Sequence, residues 1–190
     1  MPPCKLCEGG QCLACMKKDS CIYKDDDFHI LYDKITQADG LILGSPVYGA
    51  DITVKMKTFL DRLGIASMNN PNVLRRKPAA GVVAVRRGGG IAAVDSLNHF
   101  MLFKEMLLVG STYWNMVYGK DAGDVLNDGE GLANMRNIGE NMAWLLKRNS
   151  ISEKLFQKQN LQKKQLHERA KTTLFARFPY LPIPWLWLER

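Results

Sequence analysis

Three features that the sequence lacks narrow its interpretation before any motif is considered. No apolar run approaches the roughly 20 residues that a membrane-spanning helix requires. The opening residues Met-Pro-Pro-Cys show no basic segment followed by an apolar one, so we predict no secretory signal and expect a cytoplasmic protein. The chain has only three histidines, none in a regular spacing with cysteine or aspartate, so a histidine metal site is not predicted.

Composition indicates an ordinary globular protein with an unusual distribution of charge. Hydrophobic residues make up 46% of the 190 residues and charged residues 24%, which argues against disorder and against a coiled coil. The formal net charge of +7 lies wholly in residues 147–190, which hold ten basic and three acidic side chains. No recognition motif accompanies this charge, so we predict no nucleic-acid partner.

Hydrophobic periodicity predicts strands that alternate with helices, the pattern of a parallel α/β sheet. Helices are predicted at about 27–38, 52–63, 91–107 and 130–148, and strands at 41–44, 79–85 and 109–118. Gly64 is expected to end the second helix, and Asp61 and Arg62 to form an ion pair there. Carboxylates favour helix N-termini, which explains the aspartates at 25–27. The methionine and aromatic side chains of residues 100–118 are predicted to belong to the core.

Two unusual loops, at 45–50 and 86–91, each follow the carboxyl end of a predicted strand. Pro46 fixes φ, and glycines permit tight turns in both loops. The glycine triplet at 88–90 opens a helix, so its backbone amides could face an anion or an electron-rich ring. Because ligands of parallel sheets bind beyond the carboxyl ends of the strands, we expect the two loops side by side. The alternative is a pair of ordinary strand-to-helix turns.

One long string carries a specific resemblance. ADGLILGSPVYGADITVKMKTFLDR, at 38–62, resembles the flavin-binding segment of the NADPH-dependent FMN reductase family, flavodoxin-fold proteins that include the iron-sulfur flavoproteins. CLACMKKDSCIYKDDD, at 12–27, precedes it at the family's spacing, and AVRRGGG, at 84–90, stands where the family has its second flavin-contacting loop. The resemblance implies a flavodoxin-like parallel sheet with helices on both faces, non-covalent FMN, and NAD(P)H as electron donor.

The same resemblance implies which residues hold the cofactor. The first loop would line the ribityl chain and the flavin ring, and the second would face the other edge of the ring. The implied residues are Ser45, Pro46, Val47, Tyr48 and Gly49 in the first loop, and Arg87, Gly88, Gly89 and Gly90 in the second. No catalytic side chain is implied, because hydride transfer is the chemistry of the cofactor. The implied function is an oxidoreductase that passes electrons from NAD(P)H through FMN to a small acceptor, working as a homo-oligomer.

The chain departs from the family pattern at its start. The family begins with a strand and a Ser/Gly-rich phosphate-binding loop before the cysteines, whereas this sequence starts at the cysteines. We therefore expect an N-terminally truncated domain with an uncovered apolar sheet edge, and weak or no FMN binding by this polypeptide alone. The alternative function is a non-catalytic or partner-dependent remnant of a flavoprotein, with a cysteine metal site or an interaction tail.

Five cysteines fall close together, in the pattern Cys4-x₂-Cys7-x₄-Cys12-x₂-Cys15-x₅-Cys21. In the iron-sulfur flavoproteins the ligands follow C-x₂-C-x₂-C-x₄₋₇-C, and here Lys18 occupies the third position. Either Cys4 or Cys7 could supply the missing thiolate for a [4Fe–4S] cluster or a zinc ion. Reduced thiols without a metal are the third alternative. The candidate ligands are Cys7, Cys12, Cys15 and Cys21.

These observations predict three regions: a cysteine-rich segment at 1–25, a partial FMN reductase domain at 26–148, and a basic, aromatic tail at 149–190. The tail is predicted to be a basic helix followed by a segment rich in proline and tryptophan. Three prolines rule out a regular spanning helix in that segment. The tail could contact a membrane surface, cover the exposed sheet edge or pack on a second subunit.

Overall fold

The computed structural model describes Cys15, residues 21–68 and 70–149, and the isolated positions Gln162 and Lys164. By its internal contacts the chain divides into two units, Met1–Leu146 and Lys147–Arg190. The predictions for Cys4, Cys7 and Cys12 lie outside the described residues, as do those for most of the tail. In the described part of the chain, no helix is both long and apolar enough to cross a bilayer.

Helices and strands alternate along the described chain, which confirms the α/β prediction. The helices are α1 (Phe28–Gln37), α2 (Val54–Ala66), α3 (Gly90–Phe103) and α4 (residues 129–149), with short 3₁₀ turns at Pro71–Val73 and Asp124–Asn127. The strands are β1 (Leu41–Tyr48), β2 (Asp51–Ile52), β3 (Pro78–Val85), β4 (Leu107–Leu108) and β5 (Met116–Tyr118).

A mainly parallel sheet is organised around β3. Strand β1 runs parallel to β3, with Leu41 opposite Ala79 and Pro46 opposite Ala84. On the other side of β3, β4 pairs in parallel with its start and β5 with its end. Strand β2 folds back antiparallel on the last residues of β1. The carboxyl ends of β1 and β3 therefore meet at the same edge of the sheet.

The two faces of the sheet are covered by different helices. On one face, Val83 and Val85 of β3 join a buried cluster to which α1, α2 and α3 contribute Phe28, Leu63 and Leu97. Gly81 permits this packing, because a Cβ there would lie 2.9 Å from Cβ of Leu97. On the other face, Ala80 packs with Val109 and with two residues of α4, Ile138 and Met142. The expectation of helices on both faces is confirmed.

Strand β1 is longer than the predicted strand at 41–44. Residues 45–48, predicted as a loop, continue the strand, because Ser45 and Pro46 still pair with β3 while Val47 and Tyr48 pair with β2. Pro46 is compatible with this position, since prolines in sheets are confined to edge strands and bulges. The loop proper is therefore the tight turn between β1 and β2.

The prediction that Gly64 ends the second helix is wrong. Helix α2 continues to Ala66, and Gly64 is buried where a Cβ would lie 3.6 Å from the Phe100 ring. The Lys104 ammonium group donates to the Gly64 carbonyl over 2.6 Å, and burial lowers the pKa of Lys104. Gly64 therefore lies within the last turn of α2, where its carbonyl accepts the Lys104 bond, and does not end the helix.

The predicted strand at 109–118 is also corrected. Only its last three residues form a strand, β5, whereas residues 109–115 are irregular and β4 lies just before the predicted range. Side-chain hydrogen bonds hold this segment: Ser111 Oγ donates to Asn115 Oδ1 over 2.8 Å, and Thr112 Oγ1 donates to Asn134 Oδ1 over 2.6 Å. Serine, threonine and asparagine compete with strand pairing through such local bonds, which explains the break.

In the described part of the chain, one edge of the sheet carries no strand along much of β1. Among the described residues, positions 41–46 pair only with β3, and the Ile42 side chain is 54% exposed. A cavity of about 570 Å³ lies along this edge. Its apolar lining includes Leu31, Ile35, Leu41, Ile42, Met56 and Phe59. Within the described residues, this matches the uncovered apolar edge expected from the sequence.

Candidate functional site

The two glycine-containing loops touch each other at the carboxyl ends of β1 and β3. Gly89 has φ +87°, and a Cβ at Gly89 would lie 2.5 Å from the Cα of Ala50. Ser96 Oγ of α3 also donates to Asp51 Oδ1 over 2.7 Å. The expectation that the loops lie side by side is confirmed. We call residues 45–51 and 86–91 the sheet rim.

The first half of the rim presents some predicted residues and buries others. Pro46, Tyr48 and Gly49 are exposed, and the Tyr48 side chain is 70% exposed. Ser45 is buried: its hydroxyl donates to the Pro46 carbonyl over 2.9 Å and accepts the Thr53 amide over 3.1 Å. The Ser45 side chain therefore fixes the start of α2 instead of facing outward, and Val47 is half-buried against the core.

The turn between β1 and β2 holds two consecutive residues at positive φ. Gly49 has φ +58°, and the neighbouring Ala50 has φ +64°. Positive φ is uncommon for alanine and costs free energy that the surrounding structure must offset. The next residue, Asp51, has its pKa lowered first by the Ser96 hydroxyl and then by the Ile52 amide. The carboxylate of Asp51 is thus held where α3 contacts the turn between β1 and β2.

The second half of the rim opens α3. Arg86, Arg87 and Gly88 are exposed, and no atom lies within 4 Å of the position that a Cβ on Gly88 would occupy. Gly90 points inward instead, where a Cβ would lie 2.9 Å from the Met116 sulfur. Gly89 occupies the N-cap position of α3 without a side-chain cap. The positive end of the helix dipole and its first backbone amides therefore lie at the rim.

Aromatic side chains adjoin the start of α3, against the prediction that they belong to the core. Tyr113, Trp114 and Tyr118 are 63%, 47% and 46% exposed. They line a small cavity of about 150 Å³ beside Ile91. The core prediction holds for Met101, Met106 and Met116, which are buried. The serine and threonine at 111 and 112, which interrupt the strand, are the sequence signal that could have identified this loop.

A second site lies around the C-terminal half of α2. Arg62 is 4% exposed, and its guanidinium group donates to Cys21 Sγ over 3.3 Å. The same group donates to both carboxylate oxygens of Asp26 and stacks over the Phe28 ring, 4.3 Å from its centroid. The predicted pair between Asp61 and Arg62 is wrong. Asp61 instead pairs with exposed Lys57, one helical turn earlier, over 2.5 Å.

Arg62 and Asp26 keep each other charged. The Arg62 hydrogen bond lowers the pKa of Asp26 below its ordinary value, and burial opposes this effect only in part. Burial pulls the pKa of Arg62 down, but hydrogen bonds to Asp26 and Cys21 outweigh it, and the net direction is upward. Asp26 Oδ1 also accepts the Phe28 amide over 3.1 Å at the start of α1. The ion pair therefore joins α2 to the segment that follows the cysteines.

Of the four candidate metal ligands, Cys15 and Cys21 are described, and both are buried. Cys15 Sγ accepts the amide of Ile22, the residue next to Cys21, over 3.4 Å. Two buried sulfurs that each accept an N–H hydrogen bond fit the chemistry of thiolate ligands. Within the part of the chain that the structure describes, no group of three or more Cys, His, Asp or Glu residues could hold a metal ion. We call Cys15, Cys21, Asp26 and Arg62 the cysteine site.

The chain is similar in sequence to two curated proteins and in structure to one solved protein. An iron-sulfur flavoprotein of Methanocaldococcus jannaschii is 36% identical over 140 residues, covering 66% of this chain and 69% of the relative. A second iron-sulfur flavoprotein of that organism is 35% identical over 144 residues, covering 72% of each chain. The solved Trp repressor binding protein of Bacillus subtilis is 20% identical, with a TM-score of 0.48 over 58% of this chain and 68% of that one.

The family comparison covers both halves of the rim. The model of the family described as NADPH-dependent FMN reductase matches residues 5–121, which include β1, β3, α3 and the turns that follow the two strands. The fold is accordingly a flavodoxin-like α/β sheet, as expected. The chain belongs to the NADPH-dependent FMN reductase family.

Proposed function

We propose that this chain is an FMN-dependent oxidoreductase that transfers electrons from NAD(P)H to a small acceptor in the cytoplasm. The observation that carries the proposal is the contact of Gly89 with Ala50, which joins the two loops into one surface. When bound, FMN would supply the chemistry by accepting a hydride from the nicotinamide and passing the two electrons to the acceptor.

The open glycines of the rim fit a flat ring. Neither Gly49 nor Gly88 has an atom within 4 Å of the position that a Cβ would occupy. Backbone amides can therefore approach a ligand there without an intervening side chain. Exposed Tyr48 offers an aromatic face beside them. These residues would hold the isoalloxazine ring mainly through the main chain.

Charge at the second half of the rim suits a ring that becomes more negative on reduction. The uncapped first turn of α3 points positive partial charge at the rim, and exposed Arg87 adds a full positive charge. Groups arranged in advance around developing charge stabilise it without reorganisation. Ser45 contributes indirectly, because its bond to the Thr53 amide holds the turn against α2.

The cysteine site adds a second part to the proposal. The relatives named above are iron-sulfur flavoproteins by name. The buried sulfurs of Cys15 and Cys21 accept N–H hydrogen bonds, as thiolate ligands of metals commonly do. We propose that these two residues, with Cys7 and Cys12, bind a metal centre. A [4Fe–4S] cluster is the first candidate and zinc the second.

Anaerobic titration tests the flavin proposal. When FMN is added to the purified full chain, its fluorescence should be quenched to saturation. The dissociation constant should lie above about 1 μM, which corresponds to a binding free energy weaker than about −8 kcal/mol. NADPH or NADH added to this complex should then bleach the absorbance of the bound flavin faster than the same nucleotide bleaches free FMN. Binding that does not saturate, or bleaching no faster than in buffer, contradicts the proposal.

A second candidate is a flavoprotein that depends on a second subunit. Two observations favour this function: no strand among the described residues pairs with the outer edge of β1 at 41–46, and an apolar cavity lies beside that edge. A homo-oligomer would cover apolar surface that is exposed in the described part of the chain. Size-exclusion chromatography with light scattering, run with and without FMN, tests it. FMN affinity should rise with protein concentration as oligomers form, whereas a monomer with constant affinity excludes this candidate.

A further inference from the structure

We propose that the small cavity beside the first turn of α3 binds the electron acceptor, and that this acceptor is a flat, uncharged molecule with a single ring, such as a benzoquinone. The inference rests on the proposed oxidoreductase function and deepens it by naming the substrate class. The cavity has a volume of about 150 Å³, and three aromatic side chains line it: Tyr113, Trp114 and Tyr118. We call it the aromatic cavity.

The aromatic cavity and the sheet rim share part of α3. Ile91, the last residue of the rim, lines the cavity, and its side chain is exposed. The preceding residue, Gly90, packs closely on β5, because a Cβ there would lie 2.9 Å from the sulfur of Met116. Met116 lines the cavity as well. A molecule in the cavity would therefore lie next to the flavin ring that the rim is proposed to hold.

The size and the lining of the cavity suit one flat ring. The rings of Tyr113 and Trp114 have their centroids 6.3 Å apart and are tilted by 59°, so they are not stacked face to face on each other. Contacts with aromatic side chains stabilise a flat ring, and a cavity of about 150 Å³ can hold benzene. Larger ligands usually occupy cavities of about 300–1,000 Å³, so a nicotinamide dinucleotide would not fit in this one.

The charged groups of the aromatic cavity disfavour an anionic ligand. Asp128 and Glu130 line it, and none of the described residues in its lining is basic. The amides of Gly131 and Tyr118 lower the pKa of Asp128, so its carboxylate is charged at neutral pH. An anionic ligand would meet like charge here, whereas an uncharged acceptor would not. The phosphates of NAD(P)H are better matched by exposed Arg87 at the rim.

Hydrogen bonds hold the walls of the cavity in place. Thr112 Oγ1 donates to Asn134 Oδ1 over 2.6 Å, which ties the segment between β4 and β5 to α4. The Asp128 carboxylate accepts the Tyr118 amide over 2.8 Å and the Gly131 amide over 2.9 Å, which ties β5 to the start of α4. Because these walls are fixed in advance, less conformational freedom is lost when a ligand binds.

A benzoquinone in this position would complete the proposed reaction with balanced electrons and protons. NAD(P)H gives up a hydride, which carries two electrons and one proton, and solvent supplies a second proton. The quinone becomes the hydroquinone, and NAD(P)H becomes NAD(P)⁺. The flavin carries the electrons between them, so the lining residues need only bind and orient the acceptor.

Equilibrium dialysis of duroquinone against the purified full chain, with and without FMN, tests the site. Duroquinone is a benzoquinone with methyl groups at all four ring positions, so it does not add to cysteine thiols. The wild type should bind it saturably. Tyr113→Ala and Trp114→Ala should each bind it about 3–10-fold more weakly, because each loses an aromatic contact. Trp114→Phe keeps a ring and should fall between Trp114→Ala and the wild type.

Phe103→Ala is the matched control, because it removes another exposed ring from the opposite end of α3. This variant should match the wild type. Wild-type affinity in folded Tyr113→Ala and Trp114→Ala overturns the proposal, and so does equal weakening in Phe103→Ala. An absence of saturable duroquinone binding by the wild type overturns it as well.

A pair of probes of the same shape tests the preference for an uncharged ligand. At low salt, the wild type should bind benzamide more tightly than benzoate, which carries a negative charge. Glu130→Gln should narrow this difference, because it removes one of the two carboxylates of the lining. Benzoate binding as tight as that of benzamide contradicts the assignment.

Kinetics and FMN titration separate this inference from the proposed function. In the NADPH-driven reduction of duroquinone, Trp114→Ala should raise the KM for the quinone about 3–10-fold, while its affinity for FMN stays that of the wild type. If the wild type binds FMN but not duroquinone, the acceptor site is wrong and the flavin site stands. If it binds duroquinone but not FMN, the aromatic cavity is a binding site and the proposed oxidoreductase function is wrong.

Discussion

The two ends of helix α2 belong to regions that are built in opposite ways. Its N-terminal end follows the sheet rim, where Tyr48 is 70% exposed and glycines set the backbone conformation. Its C-terminal half carries Arg62, which is 4% exposed and held by an ion pair. The rim thus depends on main-chain geometry, and the cysteine site on buried side-chain charge. Substitutions should therefore impair ligand binding at the rim and folding stability at the cysteine site.

The largest effect is expected from removing the buried cation. Arg62→Met should lower the free energy of unfolding by about 3–5 kcal/mol, because it leaves the carboxylate of Asp26 largely buried without its partner. Urea denaturation measures this change. Lys57→Met breaks the exposed pair with Asp61 on the same helix and should cost under about 1 kcal/mol. If the two variants lose equal free energy of unfolding, the proposed difference between the two regions is wrong.

A smaller loss is expected from adding a methyl group where the rim loops meet. Gly89→Ala should destabilise the chain by about 1–3 kcal/mol, because φ is +87° and the new Cβ would collide with the backbone of Ala50. Gly88→Ala, one residue earlier, meets open space and should stay within about 0.5 kcal/mol of the wild type. Thermal unfolding of both variants checks the prediction. A neutral Gly89→Ala means that the loops do not touch in solution.

Acid should affect the cysteine site more than the rim. The pKa of Asp26 is lowered in the folded state, so the stability that its ionised form supplies is fully present above about pH 5 and is lost as pH falls toward the folded pKa. The unfolding free energy of Asp26→Asn should therefore vary less between about pH 5 and pH 3 than that of the wild type. The pKa of Asp51 is lowered as well, but Asp51 is exposed to solvent. Asp51→Asn should therefore change the pH dependence of the unfolding free energy less than Asp26→Asn does. The reverse order would contradict this assignment.

The smallest stability effect is expected at Tyr48. Because its side chain is mostly exposed, Tyr48→Ala should change the free energy of unfolding by no more than about 0.5 kcal/mol. FMN binding should nevertheless weaken, since an aromatic face at the rim is lost. Tyr48→Phe keeps the ring and serves as the control in the same fluorescence titration. If both variants bind FMN as the wild type does, Tyr48 is not part of the flavin site.

Local patterns in the sequence predicted most of the fold. The apolar run of β3 and the periodicity of α1 lie where expected, because each reflects burial within a single element. The meeting of Gly89 with Ala50 also followed from a general rule, that parallel strands end at one edge. Gly64 misled the prediction because glycine commonly follows a helix end, whereas here the helix continues for two more residues, to Ala66.

The cysteine site could not be predicted in the same way. Arg62 is adjacent to Asp61 in sequence, yet it pairs with Asp26, 36 residues earlier. The helical period places neighbouring side chains on different faces, so adjacency was a poor guide to pairing. The exposure of Tyr113 and Trp114 was missed for a related reason, since aromatic residues are common both in cores and at binding surfaces.

FMN titration of the wild type, Gly89→Ala and Gly139→Ala is the most direct test of whether FMN binds at the sheet rim. Gly139 lies on α4, where a Cβ would meet nothing within 4 Å, so its variant adds the same methyl group away from the rim. We expect all three proteins to bind FMN saturably. Gly89→Ala should bind it at least about tenfold more weakly than the wild type, a loss of about 1.4 kcal/mol in binding free energy, and Gly139→Ala should match the wild type. If a folded Gly89→Ala binds FMN with wild-type affinity, FMN does not bind at the sheet rim.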